Sequence, residues 1–162
     1  MRRAAPVSTF VRVIRVHRQI HGTACIAAAA TTLLEARGLV PPPQGRLDDL
    51  VQAGMRAGES GFAALAEALR VLHVGCTATR RTPTAGELVR WIEETPAAAE
   101  GFLVSHHVPL PGGREGAHIT VVLRAGDAWY RADPADSSVR PVALEELVPR
   151  YAGDVALLTR DR

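Results

Sequence analysis

Four residues carry the chemistry this sequence can offer: Gln19, Cys25, His118 and Asp133. A cysteine attacks a carbonyl as its thiolate, and an isolated thiol ionises only near about 8.5, so it needs an activating neighbour. A histidine held by a carboxylate is such a neighbour, because the carboxylate fixes the tautomer and stabilises the imidazolium. Gln19 lies six residues before Cys25 and offers an amide donor. Together with a free backbone N–H at a helix start, that donor can hold the oxyanion formed during acyl transfer.

Those roles depend on the elements that position them. From Cys25 to Arg37 the sequence predicts a helix: alanines and leucines dominate and no proline or glycine interrupts. Thr23 is the expected N-cap, and Gly38 sits where a left-handed C-cap belongs. Cys25 then falls in the first turn, where the helix dipole favours a thiolate. Gly22 permits a sharp entry or a close ligand approach. A lone cysteine in an Ala-rich helix also fits a small buried apolar residue. The histidine and aspartate downstream favour the nucleophile.

Two alternating runs, His118–Leu123 and Asp127–Ala132, flank Arg124-Ala-Gly-Asp127 and predict a β-hairpin. With the turn centred between Ala125 and Gly126, Val122 faces Trp129, Thr120 faces Arg131, and His118 faces Asp133. Directly paired residues share a face with Cβ atoms about 4.5–5.5 Å apart. A slip of one residue would separate the pair, leaving Asp136 or nothing to orient the histidine. Asp133-Pro134 is also a common turn-starting dipeptide, and a plain cross-strand polar pair is the bland alternative.

Along the rest of the chain, residues 8–16 alternate as a first strand, with Val11, Val13 and Arg15 on one side. The prolines of 39–45 predict a loop. Amphipathic helices are expected over Leu47–Met55 and over Phe62–Leu72, the second capped by Ser60. A short strand follows at Val74–Arg80, and Thr84-Ala-Gly-Glu87 reads as a capping box opening a helix through Ile92. Strands are expected at 101–108 and 139–142, a short helix at 143–151 and a last strand at 154–159. Helices first and an antiparallel sheet after make an α+β domain spanning 1–162.

Gln19, Cys25, His118 and Asp133-Pro134 resemble the motif set of papain-like cysteine peptidases, closest to the bacteriocin-processing (double-glycine leader) peptidases. The order of elements is similar over about residues 11–159. The resemblance implies the papain-like fold, N-terminal helices packed on a C-terminal antiparallel sheet. It also implies a Cys25–His118–Asp133 triad with Gln19 at the oxyanion, no cofactor and no metal. The expected substrate is a precursor or leader peptide in bacterial peptide natural-product maturation. Where the family has an acidic residue or asparagine before the cysteine and glycine after it, this chain has Ala24 and Ile26. Ile26 is expected to narrow the rim beside the nucleophile. Without a fused transporter, the chain would be a stand-alone version, with any carrier or transporter partner unidentified.

Two other functions use the same residues. An acyltransferase would pass the acyl-thioester to an amine, and a non-catalytic peptide-binding module would share the fold. Net charge is only +2, the basic residues are all arginine and are spread along the chain, and no aromatics interleave with them, which excludes a nucleic-acid stripe. No apolar run is long enough to be membrane-embedded, and arginines interrupt any signal-like start, so a cytoplasmic protein is expected. Two cysteines, Cys25 and Cys76, make no disulfide framework, and Cys76 reads as a buried small residue. His21, Cys25, His73 and Cys76 can be written as a zinc set, but their spacings match no common structural site. His106 and His107 fall on opposite faces of one strand, one packed and one solvated. The Pro111–Gly116 loop would border the cleft.

Overall fold

The computed structural model describes residues 14–162. Most of the strand expected at 8–16 lies outside these residues, and Ile14–Val16 are not in the sheet.

Helix α1 (Cys25–Ala36) is the centre of the molecule, with every residue from Ala24 to Leu34 buried. Its two buried hydroxyls are satisfied within the helix: Thr31 donates to the Ala27 carbonyl at 2.7 Å and Thr32 to that of Ala28 at 2.9 Å. A helix of small residues can therefore lie deep in the core without an orphaned polar group. The N-cap is Ala24, not Thr23, and no side chain caps the first turn. Gly38 follows the last turn in the left-handed conformation (φ 75°).

Helices α2 (Gln44–Arg56) and α3 (Gly61–Val71) pack against α1, and Ser60 caps α3 by accepting from the Ala63 amide at 3.2 Å. Helix α2 begins three residues earlier than its apolar pattern indicates, directly after Pro43, whose fixed φ suits a helix entrance. Helix α4 (Leu88–Glu94) starts at Glu87, which accepts a 3.4 Å hydrogen bond from the Thr84 amide, one half of a capping box.

Among the described residues, six antiparallel strands complete the fold: β1 (Cys76–Arg81), β2 (Phe102–Pro109), β3 (Glu115–Ala125), β4 (Ala128–Asp133), β5 (Ser138–Val142) and β6 (Tyr151–Arg160). Their spatial order is β1-β6-β2-β3-β4-β5, so the last strand fills a slot between β1 and β2. One face, with Leu103, Ile119, Val121, Leu123 and Ala156, packs under α1. The other, with Phe102, Val104, Val122 and Leu157, is covered by α4 and by a short 3₁₀ turn, Leu144–Leu147. That turn replaces the helix expected at 143–151. Val148 keeps helical backbone, but Pro149 has no N–H to carry the hydrogen-bond ladder onward, so the turn does not grow.

The β3–β4 hairpin differs from the expected register by two residues: Val122, not Thr120, pairs with Arg131, and Arg124 pairs with Trp129. The loop is Gly126-Asp127, with Gly126 at φ 60°, the positive first position that a tight II′ hairpin turn requires. A shift of two preserves which side chains share a face. His118 and Asp133 therefore remain on one side, now as diagonal neighbours just past the last β3–β4 pair, Val121 with Ala132.

Candidate active site

The hairpin brings His118 and Asp133 together, with His118 Nε2 at 2.7 Å from Asp133 Oδ1. Asp133 also accepts from the Ala135 amide at 2.9 Å, which fixes the carboxylate in the turn opened by Pro134. Burial pushes the Asp133 carboxyl up, but the hydrogen bonds from His118 and Ala135, with the charges of His118 and Arg131, hold it below the usual carboxylate range. The hydrogen bond to Asp133 and then the Cys25 thiol outweigh burial at His118 and raise its pKa to about 9. Asp136, the fallback orienting residue, instead accepts from the Ser138 amide at 2.8 Å and shapes the next turn.

Cys25 is the first residue of α1 and is 8% exposed. It lines, with His118, a cavity of about 580 Å³ between the helices and the sheet. With Nε2 taken up by Asp133, Nδ1 is the imidazole nitrogen left for the thiol. The Cys25 thiol is close enough to help raise the imidazole's pKa.

Gln19 lies on an arm that the sequence did not predict. The Gln19 backbone amide donates to the Pro134 carbonyl at 2.9 Å, and its side-chain Nε2 donates to the His21 carbonyl at 3.1 Å. Its Oε1 is buried and has no partner among the described residues. One amide hydrogen is thus engaged locally, fixing the side chain's plane. The second donor of the NH₂ group is left over.

Helix α2 holds this arm through one polar face. Gln44 accepts from the Ile20 amide at 2.9 Å and donates to the Arg18 carbonyl at 3.0 Å. Asp48, 3% exposed, bonds His21 Nε2 at 2.7 Å, and Gln52 donates to the Thr23 carbonyl at 2.9 Å. Farther back, the His17 amide donates to Thr32 at 3.0 Å and the His17 ring meets Glu35. The spacing of Gln44, Asp48 and Gln52, four residues apart, was the available signal, since i, i+4, i+8 form one stripe of a helix.

The remaining lining is mainly apolar: Ile26, Met55, Phe62, Val108, Leu110 and Ile119. Ile26 lines this wall. A Cβ at Gly61 would lie 2.4 Å from Ile26 Cδ1, so the α3 entrance accommodates the branched side chain only as glycine. Leu110 and Gly116 place the 111–116 loop at the cavity edge.

Neither a protein-family model nor a curated protein sequence matches the chain. Solved structures do. The peptidase domain of Streptococcus ComA, a bi-functional ABC transporter of a quorum-sensing pathway, superposes with a TM-score of 0.63 at 18% identity, covering 92% of this chain and 99% of that one. The N-terminal peptidase C39-like domain of a toxin secretion ATP-binding protein from Vibrio parahaemolyticus gives 0.51 at 14% identity, covering 87% of this chain and 99% of that one. The chain has the papain-like cysteine-peptidase fold.

Within that fold the other histidines and the second cysteine have separate places. His107 lines the cavity, while His106, 7% exposed, is packed against His118. Cys76 is buried on β1, where burial raises its thiol pKa. His21 is bonded to Asp48, and no group of three or more His, Cys, Asp or Glu among the described residues is set to hold a metal. No helix among the described residues is long and apolar enough to cross a membrane.

Proposed function

We propose that this protein is a thiol peptidase acting through Cys25, His118 and Asp133, with Gln19 and the Cys25 backbone amide as oxyanion donors. The observation that carries the reading is the 2.7 Å His118–Asp133 hydrogen bond at a cavity that also holds Cys25. His118 takes the thiol proton, and the sulfur attacks the peptide carbonyl. As the C–N bond breaks, His118 returns a proton to the leaving amine and a thioester remains. Water, deprotonated by the same imidazole, then attacks the thioester and releases a carboxylic acid and the thiol. Asp133 keeps the imidazole oriented throughout.

The substrate in this reading is a precursor peptide processed during maturation of a bacterial peptide product, in the cytoplasm before export. The structural neighbours that belong to transporter and toxin-secretion proteins support this choice. The test is mass spectrometry of candidate precursors incubated with the protein, with and without added amines. Cleavage to a free carboxylic acid, absent in Cys25→Ala, is expected. Amide products alone, formed only with an acceptor present, would make the protein an acyltransferase instead.

A further inference from the structure

Beneath the triad lies a second pair of residues that the triad chemistry does not use. Strand pairing sets His106 of β2 directly opposite His118 of β3, and their rings meet edge to face at 5.3 Å and 87°. Arg131, two residues before Asp133 on β4, shares the face of Asp133. Its Nε donates to Thr120 Oγ1 at 3.1 Å, and its Nη2 lies 3.1 Å from Nδ1 and 3.0 Å from Nε2 of His106. Being equally near both ring nitrogens, Nη2 lies over the face of the imidazole, a stacked contact that a neutral ring accepts and a protonated one repels. Burial first, then the charges of Arg131 and His118, lower His106 to about 4, so it stays neutral in the working range.

The arrangement solves a conflict. A guanidinium free to reach Asp133 would form a bidentate pair with it and compete with His118 for the carboxylate. Here Thr120 and His106 engage the guanidinium, and among the described residues it makes no direct ion pair with Asp133. Its positive charge still helps to keep Asp133 ionised against burial. The charges then alternate from the His118 imidazolium to the Asp133 carboxylate and the Arg131 guanidinium. The other charged groups acting here are Arg150 on His106 and Glu146 on Arg131.

We propose that Arg131 is a positioning residue for the triad, supplying positive field to Asp133 while His106 and Thr120 hold it off the carboxylate, so that His118 keeps its partner. The inference rests on the triad assigned above, but its test needs no peptide substrate. The readouts are the pH profile of Cys25 alkylation by iodoacetamide, resolved by peptide mass spectrometry, and the NMR titration of the His118 ring. Arg131→Met is expected to move the acid limb of alkylation upward by about one pH unit, as loss of a nearby opposite charge does for a carboxylate. Arg131→Lys, which retains the charge, should restore most of that shift. His106→Leu removes the ring face that holds the guanidinium, so it swings to Asp133 and the His118 titration falls.

A uniform drop in alkylation rate in Arg131→Met with its midpoint unmoved would mean that Arg131 only packs, and would overturn the proposal. So would a His118 titration unchanged in His106→Leu, and that variant decides alone if Arg131→Met does not fold. Failure of precursor cleavage with these shifts intact would instead sink the peptidase reading and leave the charge arrangement standing.

Discussion

Cys25 and Cys76 are both free, both buried, and both at the start of a regular element packed in the same core. Only Cys25 borders a cavity with a carboxylate-bound histidine in it. Cys76 is 3% exposed, and what surrounds it raises its pKa through burial. If Cys25 is the nucleophile we propose, neither burial nor composition separates it from a core residue such as Cys76. What separates them is the partner delivered from far along the chain.

Substitution gives the largest test of that contrast. Cys25→Ala should reduce precursor cleavage on the order of 10⁴-fold or more. Cys76→Ala should leave turnover unchanged and cost about 1 kcal/mol of stability, or a Tm lower by roughly 2–4 °C. Comparable turnover losses in both variants would erase the distinction. Next in size, Gln19→Ala should slow cleavage by about 10²–10³-fold, as loss of one oxyanion donor does, with little change in KM. A rise in KM alone would assign Gln19 to substrate binding instead.

The environment of His118 sharpens the comparison through pH. Its folded pKa of about 9 lies above the ordinary 6.5, so its pairing with Asp133 stabilises the fold fully below about 6.5 and loses that contribution as pH rises through about 9. Thermal melts across that window should fall in the wild type, and Asp133→Asn should flatten the slope. A slope that persists in Asp133→Asn would place its origin elsewhere. The smallest effect expected is at the arm: Asp48→Ala removes the partner of both His21 and Gln52 and should lower kcat/KM about tenfold, the scale of one hydrogen bond to a charged group. Unchanged kinetics would show that the remaining arm contacts suffice.

Parts of this arrangement were legible in the sequence because they are local. The α1 pattern, the Ser60 cap and the alternation of β3 and β4 each declare themselves within a dozen residues. The hairpin register was misplaced by two, yet the pairing of His118 with Asp133 survived because side-chain facing has a period of two. Ala24 could not be read as an N-cap, since no side chain does the capping. The burial of His106 was also not fixed by its own strand. It depends on an irregularity in the β2–β6 register between Val104 and His106 and on the arrival of Arg131. The arm's attachment to α2 was hidden for another reason: polar side chains on a helix ordinarily read as a solvated face.

The slot that β6 fills between β1 and β2 has a consequence for how the molecule comes into being. During synthesis α1 leaves the ribosome before the six strands, whereas β6, which joins β1 to the rest of the sheet, is the last of the six to be made, pairing Cys76 with Arg160. Closing so long a loop is slow compared with forming a helix. A nascent chain therefore carries its thiol well before it can assemble the sheet that steadies the base. On the proposed reading, Cys25 gains a steadied partner only once the fold is complete.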